Sequence, residues 1–134
     1  MNIHQYSGIL VVDDSATVRV VVRKLLAQLG YKNVDEASDG ASALEKISEK
    51  HFNLVISDWN MEPMSGYELL EQIRANKEME GMRFIMMTAD GSIDKIVSAK
   101  RARVSCFINK PFRAEDLKAK IAQVNAEHRV AATA

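Results

Sequence analysis

Short apolar runs that predict β-strands alternate along the chain with segments of helical periodicity. Ile9–Val12 is a continuous apolar run, which is typical of a strand buried on both faces, and it ends in Asp13 and Asp14. Further strands are predicted at 33–37, 54–56, 84–87 and 104–109. The last three of these lead into Asp58, Thr88 and Lys110 respectively.

Between the strands, apolar residues recur with the spacing of amphipathic helices. The first helix is predicted to begin after Ser15, whose hydroxyl can cap it, and to end at Gly30. Asp39 is predicted to cap the second helix in the same way. The predicted inner face of the first helix consists of Val18, Val21, Val22, Leu25 and Leu29.

Strands that alternate with helices predict an α/β fold, with a parallel sheet, right-handed crossovers and helices on both faces. Sheets of this kind bind ligands outside the carboxyl ends of their strands, where the strand order reverses. The polar residues that follow the strands are dispersed in the sequence but are expected to meet at that one edge. They are Asp13, Asp14, Asp58, Thr88 and Lys110.

The residue types at this edge predict a site for a metal and a phosphoryl group. Three carboxylates held close together repel one another, and they need a cation when all are ionised. Hard oxygen ligands favour Mg²⁺, and Lys110 and Thr88 suit the oxygens of a phosphoryl group. An aspartate can itself be the nucleophile and form an acyl phosphate. Each residue alone has a simpler interpretation, as a cap or a surface charge, so the prediction depends on the set.

Length and composition narrow the class of protein. The 134 residues suit one domain, predicted at 8–126 between an N-terminal tail at 1–7 and a C-terminal tail at 127–134. Lysine plus arginine equals aspartate plus glutamate, at 18 each, so no global field favours nucleic acid or a membrane surface. A single cysteine, Cys106, and the lack of a long apolar run predict a soluble cytoplasmic protein.

The motifs at the strand ends, in their order along the chain, resemble those of the response-regulator receiver family, and within it the CheY-like single-domain chemotaxis regulators. The resemblance runs from about Gly8 to Val124. It implies a flavodoxin-like (βα)5 three-layer sandwich with strand order 2-1-3-4-5. The motifs are Val11-Val12-Asp13-Asp14-Ser15, Ser57-Asp58-Trp59-Asn60-Met61, Met64-Ser65-Gly66, Met87-Thr88-Ala89 and Lys110-Pro111-Phe112.

For the acceptor and the metal, the resemblance implies specific residues. Asp58 would be the phosphoacceptor, and the protein would be a stand-alone response regulator that is not a turnover enzyme. Asp13 and Asp14 would hold Mg²⁺, together with an oxygen of Asp58 and the main-chain carbonyl of Asn60.

The resemblance also implies roles around the phosphoryl group. Thr88 would contact it and move towards it on activation, and Lys110 would bind one of its oxygens. The bond from Lys110 to Pro111 is expected to be cis. Asn60 and Asp90 occupy positions that tune how quickly the acyl phosphate hydrolyses in this family.

The sequence departs from the family pattern at two places of functional interest. Glu62 precedes Pro63, so the proline lies one residue late and an additional carboxylate lies near the acceptor. Phe107 occupies the switch position where the chemotaxis regulators have tyrosine. A phenyl ring can still move between exposed and buried rotamers, and we expect this movement to stay coupled to Thr88. The ring has no hydroxyl group with which to hydrogen-bond a partner protein.

The expected partners are a histidine kinase as phosphodonor and a protein target that binds the face formed by the fourth helix, fifth strand and fifth helix. Candidate residues of that face are Lys95, Arg101, Arg103 and Phe107. DNA binding is not expected, since nothing after Asn125 is long enough for an effector domain. Membrane insertion is not expected either, because no apolar run is long enough for a membrane helix. We expect a monomer and leave dimerisation on activation open.

Other functions fit the sequence less well. An aspartyl phosphatase usually needs a second aspartate two residues after the nucleophile, where this chain has Asn60. A nucleotide-binding domain would carry a glycine-rich loop after the first strand instead of Asp13-Asp14-Ser15. Within the resembled family, a phosphate sink for a kinase and a partner-binding pseudo-receiver remain alternatives to a regulator of chemotaxis or motility.

Overall fold

Five strands and five helices alternate along the described residues, which are 2–89 and 92–133 of the computed structural model, with 127–133 described by their backbone alone. The strands are β1 (Ile9–Val12), β2 (Val34–Ala37), β3 (Leu54–Asp58), β4 (Arg83–Thr88) and β5 (Cys106–Asn109). The helices are α1 (Ala16–Gln28), α2 (Gly40–Glu49), α3 (Gly66–Ala75), α4 (Ile93–Arg101) and α5 (Ala114–Thr133).

The strands form one parallel sheet in the order β2-β1-β3-β4-β5, which confirms the predicted flavodoxin-like topology. Ile9 of β1 lies opposite Val34 on one side and Leu54 on the other. Every residue of β1, β3 and β4 is buried, as continuous apolar runs predict for central strands, whereas β2 at the edge is mostly half-buried.

Alternate residues of each strand face two separate hydrophobic clusters, one on each side of the sheet. Ile9 and Val11 pack with residues of α1 and α5, such as Leu26 and Leu117. Leu10 belongs to the other cluster, together with residues of α2 and α3. The helices therefore cover both faces, and the carboxyl ends of the strands are left as an open edge.

The buried face of α1 differs from the prediction. Val22 and Leu26 are its buried residues, whereas Val21, which was predicted to face inward, is 48% exposed. Consecutive residues lie about 100° apart around a helix, so Val21 cannot share the inward direction of Val22. Apolar character alone does not separate these positions, because four valines occur within five residues.

The predicted helix caps are confirmed. Ser15 Oγ accepts a hydrogen bond from the main-chain N–H of Val18, and Asp39 Oδ1 accepts one from that of Ser42. Gly30 follows the end of α1 with a φ of 94°, a conformation that glycine adopts without steric cost. These caps fix where α1 and α2 begin relative to the ends of β1 and β2.

Residues on both sides of the predicted domain limits of 8 and 126, which stay a prediction, belong to the described structure. Ile3, predicted to lie in a tail, is 4% exposed and packs in the cluster beside α1 and α5. Its main-chain N–H and C=O both bond the side chain of Asn125, at 2.7 and 3.2 Å. Helix α5 continues through Thr133, into the predicted C-terminal tail. Among the described residues, no helix has the length and apolar character needed to span a bilayer.

Candidate functional site

Backbone hydrogen bonds hold the loops that follow the strands at the carboxyl edge of the sheet. The N–H of Asp13 donates to Ala37 at the end of β2, and that of Trp59 donates to Met87 of β4. The N–H of Lys110 donates to Thr88 at 2.9 Å. The sheet pairing thus continues one residue beyond β1, β3 and β5, which gives the polar residues there fixed positions.

The structure brings together three of the predicted acidic residues and the predicted lysine. One carboxylate oxygen from each of Asp13, Asp14 and Asp58 lies within 4.8 Å of the other two. Asp13 is 1% exposed and Asp58 is 9% exposed, while Asp14 is open to solvent. Lys110 Nζ lies 3.0 Å from Asp13 Oδ2 and 3.1 Å from Asp58 Oδ1.

The charges of this group do not balance, because one lysine faces three carboxylates. Burial raises the pKa of Asp58, and the nearby carboxylates of Asp13 and Asp14 raise it further, against the opposing effect of Lys110. For Lys110, burial acts to lower the pKa, but its bonds to Asp13 and Asp58 outweigh burial and raise it. The lysine is therefore held charged, while the ionised form of Asp58 lacks enough nearby positive charge.

The donor set fits a small hard cation. Carboxylate oxygens are the ligands that Mg²⁺ prefers, and a divalent ion would offset the excess negative charge. Asn60 is exposed two residues after Asp58, and its part in metal binding stays a prediction. Glu62, an additional carboxylate that the sequence places nearby, is exposed and does not belong to the described acidic group.

Of the other residues predicted around the phosphoryl group, the structure describes some and leaves Asp90 outside its described residues. Thr88 is 4% exposed and ends β4, directly opposite Asn109 of β5. The peptide bond from Lys110 to Pro111 is cis, as the family resemblance implies. Asp90, the second predicted hydrolysis-tuning residue, lies outside the described residues, and the tuning role of Asn60 stays a prediction.

A glycine allows the loop after β3 to pack closely against Asp58. A Cβ atom on Gly66 would lie 2.0 Å from the main-chain oxygen of Asp58, which no other residue could accommodate without moving the backbone. Ser65 before it forms a capping box with Glu68, since each side chain bonds the other's main-chain N–H. Serine at this position therefore caps α3 fully, and the start of α3 is fixed beside Asp58.

One residue that the sequence analysis did not single out, Arg19, contacts the site, and a second, Glu36, pairs with Arg19. Arg19 Nη1 donates to the main-chain oxygen of Asp13 at 2.6 Å, and Arg19 Nε donates to Glu36 Oε1 at 2.8 Å. Arg19 lies on α1 and Glu36 on β2, so their contact depends on the packing of α1 against the edge strand. The sequence contains one signal for this contact. Arg19 lies one helical turn after the Ser15 cap, so its side chain is on the side of α1 from which it can reach back to Asp13.

The residues predicted for the partner face have structural contacts of their own. Lys95 Nζ lies 5.4 Å from the ring centroid of Trp59, which stacks on Tyr67 at 5.5 Å. Arg103 Nη2 donates to the main-chain oxygen of Arg74, and Arg74 Nε donates back to that of Arg103. Lys95 therefore faces the start of the loop after β3, and Arg103 links the ends of α3 and α4.

Arg74 and Arg103 form a local excess of positive charge. Burial, with the nearby charge of Arg103 as a second cause, lowers the pKa of Arg74 to about 10.

Arg101 is exposed at the end of α4, and Phe107 is partly buried against the cluster beside α2 and α3. Whether these residues bind a partner stays a prediction.

Comparison with known proteins identifies relatives over most of the chain. Residues 9–122 match the sequence profile of the response regulator receiver domain. The chain is 41% identical over 116 residues to chemotaxis protein CheY-3 of Vibrio cholerae, covering 87% of this chain and 89% of that protein. It is 39% identical over 116 residues to chemotaxis protein CheY of Pseudomonas aeruginosa, covering 87% and 94%. Among solved structures, CheY4 of Vibrio cholerae superposes with a TM-score of 0.84 at 32% identity, covering 89% and 98% of the two chains.

The charge imbalance predicts how stability depends on pH when no divalent cation is present. Because the pKa of Asp58 is raised on folding, its contribution to stability is full below the unfolded pKa and falls as pH rises through the folded pKa. In EDTA, Asp58→Asn is expected to be more stable than the wild type at pH 8, with the difference shrinking towards pH 4. Urea unfolding across this range measures it.

The control for this comparison is Glu71→Gln, which removes an exposed carboxylate of α3 that does not belong to the described acidic group. It should follow the wild type at every pH. An Asp58→Asn variant that is less stable than the wild type at pH 8 would show that Lys110 compensates the acceptor fully, contrary to the balance of charges described above.

Proposed function

Because the chain belongs to the response-regulator receiver family, we propose that it is a stand-alone response regulator of a two-component phosphorelay. It accepts a phosphoryl group on Asp58 with the help of Mg²⁺, and it signals to a protein partner by a change of surface. Proteins of this family are signalling proteins rather than turnover enzymes. The similarity to chemotaxis proteins supports a pathway that controls chemotaxis or motility. The protein is proposed to act in the cytoplasm.

The single observation that carries this proposal is the bridge from Lys110 to both Asp13 and Asp58 within a group of three carboxylates. The bridge holds an oxygen of Asp58 at the open edge of the sheet, next to a fixed positive charge. The same residues suit both a divalent cation and the oxygens of a phosphoryl group. A merely structural ion pair would not require an exposed third carboxylate, Asp14, beside it.

In the transfer step, an oxygen of the Asp58 carboxylate attacks the phosphorus of a phosphohistidine on the kinase. The new O–P bond forms as the P–N bond breaks, and the imidazole keeps the electron pair and takes a proton from solvent. Lys110 stabilises charge on a phosphoryl oxygen, and Asp13 and Asp14 would hold Mg²⁺ together with Asp58 and the carbonyl of Asn60. Bound there, Mg²⁺ would supply the further positive charge that the transferring phosphoryl group needs.

Loss of the phosphoryl group follows from the same chemistry. Water attacks the phosphorus of the acyl phosphate, inorganic phosphate leaves, and the Asp58 carboxylate is restored. Asn60, which is exposed in the loop after β3, and Asp90 are proposed to tune the rate of this step through their access to the attacking water. The protein would therefore reset itself.

Signalling is proposed to pass from Thr88 along β5 to Phe107. Thr88 lies opposite Asn109, and Phe107 lies opposite Met86, so the two switch residues are on adjacent strands one side-chain repeat apart. Movement of the Thr88 hydroxyl towards a phosphoryl oxygen would free space that the partly buried ring of Phe107 can enter.

The proposed target surface is the face formed by α4, β5 and α5. Ile93 and Val97 lie one turn apart on α4 and are 78% and 42% exposed, so they form a small exposed apolar patch. Arg101 continues the same helix side one turn later and adds positive charge. An exposed apolar and basic helix favours delivery of a signal to an acidic protein target over a phosphate sink. The protein is proposed to be a monomer, with dimerisation on activation open.

The phosphoacceptor chemistry is tested by incubating the protein with Mg²⁺ and acetyl phosphate and measuring its intact mass. We expect one added phosphoryl group per chain in the wild type and in the control Asp94→Asn, which changes an exposed aspartate of α4. Asp58→Asn and an EDTA sample should show none. An adduct on Asp58→Asn, or none on the wild type, would contradict the proposed function.

The switch is tested by NMR of the Phe107 ring, with and without beryllofluoride as a phosphoryl mimic. The ring resonances are expected to shift in the wild type, because the ring changes rotamer, and to stay unchanged in Thr88→Ala, which lacks the hydroxyl that moves. A Phe107 ring with the same environment in both states of the wild type would rule out its role as a switch.

A further inference from the structure

Arg19 joins three parts of the molecule that meet beside the acidic group. It lies on α1, and its side chain is only 14% exposed. Its guanidinium donates to the main-chain oxygen of Asp13 at 2.6 Å and to Glu36 of the edge strand β2 at 2.8 Å. A planar guanidinium can donate in two directions at once, which an ammonium group does less well.

With Arg19 in place, every polar atom of Asp13 has a partner. The N–H donates to the main-chain oxygen of Ala37 at 3.2 Å, and Oδ1 accepts from the N–H of Ser15 at 2.9 Å. Oδ2 accepts from Lys110 at 3.0 Å, and the main-chain oxygen accepts from Arg19. The main-chain oxygen belongs to the peptide unit that leads into Asp14, so the bond from Arg19 fixes the orientation of that peptide.

We infer that Arg19 is a positioning residue for the metal-binding carboxylates, acting through the Asp13–Asp14 peptide. This inference rests on the proposed function, since it concerns the same Mg²⁺ site. Asp14 is exposed and, unlike Asp13, has no described hydrogen bond from its own side chain. The direction of its carboxylate therefore depends on the backbone before it, and Arg19 holds that backbone against β2.

If Arg19 affected the site through its charge alone, removing it would change the Mg²⁺ affinity in the opposite direction. Arg19 is a cation near a site that binds a cation, so its charge by itself weakens Mg²⁺ binding. Removing the charge should then tighten binding, whereas removing a positioning contact should weaken it. The sign of the change in affinity therefore distinguishes the two roles.

Arg23 provides a matched control on the same helix. It donates to Glu36 at 2.8 Å and to the main-chain oxygen of Val34, but it has no described contact with Asp13. Arg23→Gln and Arg19→Gln each remove one positive charge and one bond to Glu36. Arg19→Gln also removes the bond to the Asp13 main chain, whereas Arg23→Gln also removes the bond to the Val34 main chain, and Arg23 is the more exposed, at 47%.

The experiment is a Mg²⁺ titration of the wild type, Arg19→Gln, Arg19→Lys and Arg23→Gln. Binding is measured by calorimetry and by the fluorescence of Trp59, the sole tryptophan of the sequence. Loss of groups that orient metal ligands typically weakens binding by about tenfold or more, and we expect this for Arg19→Gln. Arg19→Lys, which keeps the charge and the packing of the chain, should also bind Mg²⁺ more weakly. Arg23→Gln should match the wild type.

The outcomes separate this inference from the proposed function. Unchanged or tighter Mg²⁺ binding by Arg19→Gln, with normal binding by the wild type, overturns the positioning role alone. Equal weakening in Arg19→Gln and Arg23→Gln also overturns it, because the effect would then come through Glu36. If the wild type itself binds no Mg²⁺, both the inference and the proposed function fail. Urea unfolding in EDTA shows whether the variants are equally folded.

Discussion

Repulsion among the carboxylates of Asp13, Asp14 and Asp58 is the constraint on which the geometry of this site, and the function proposed for it, depends. The parallel sheet delivers these groups to one edge and supplies a single lysine, Lys110, to offset them. Burial of Asp58 makes the remaining imbalance costly, as its raised pKa indicates. The folded protein therefore keeps Asp58 in a state that added positive charge would stabilise, and Mg²⁺ is an ion that these carboxylate ligands fit.

The rest of the fold holds this unfavourable group in place. Main-chain bonds extend the sheet past the ends of its strands, and Gly66 lets the loop after β3 pack against Asp58. Arg19 bonds the main chain of Asp13 and ties it to the edge strand. These contacts hold the backbone at Asp13 and Asp58, so the carboxylates stay close together although their charges repel. Positions fixed before the ligand arrives are what phosphoryl transfer requires.

Much of the fold and of the acidic site could be predicted from the sequence, because both depend on local patterns. Continuous apolar runs marked the central strands, and a polar residue after each strand must lie at the carboxyl edge of a parallel sheet. Ser15, Gly30 and Asp39 gave the ends of helices through their local backbone chemistry. The motifs at the strand ends then indicated the family, which the comparisons show.

Contacts between side chains that are remote in sequence could not be predicted. The pairing of Arg19 with Glu36 and the position of Lys95 over Trp59 depend on how helices lie against neighbouring elements. The burial of Ile3 depends on a bond to Asn125 at the other end of the chain. In each case the sequence shows an ordinary residue, and only the packing gives it a partner.

The most direct test of this account is the effect of Mg²⁺ on the free energy of unfolding, measured with urea in the wild type and in Asp14→Ala. At a hundredfold excess over its dissociation constant, an ion that binds only the folded state adds about 2.7 kcal/mol. The account predicts a gain of this size for the wild type, and little gain for Asp14→Ala at the same Mg²⁺ concentration. A gain no larger than that from NaCl at equal ionic strength, or one that is equal in both proteins, would contradict it.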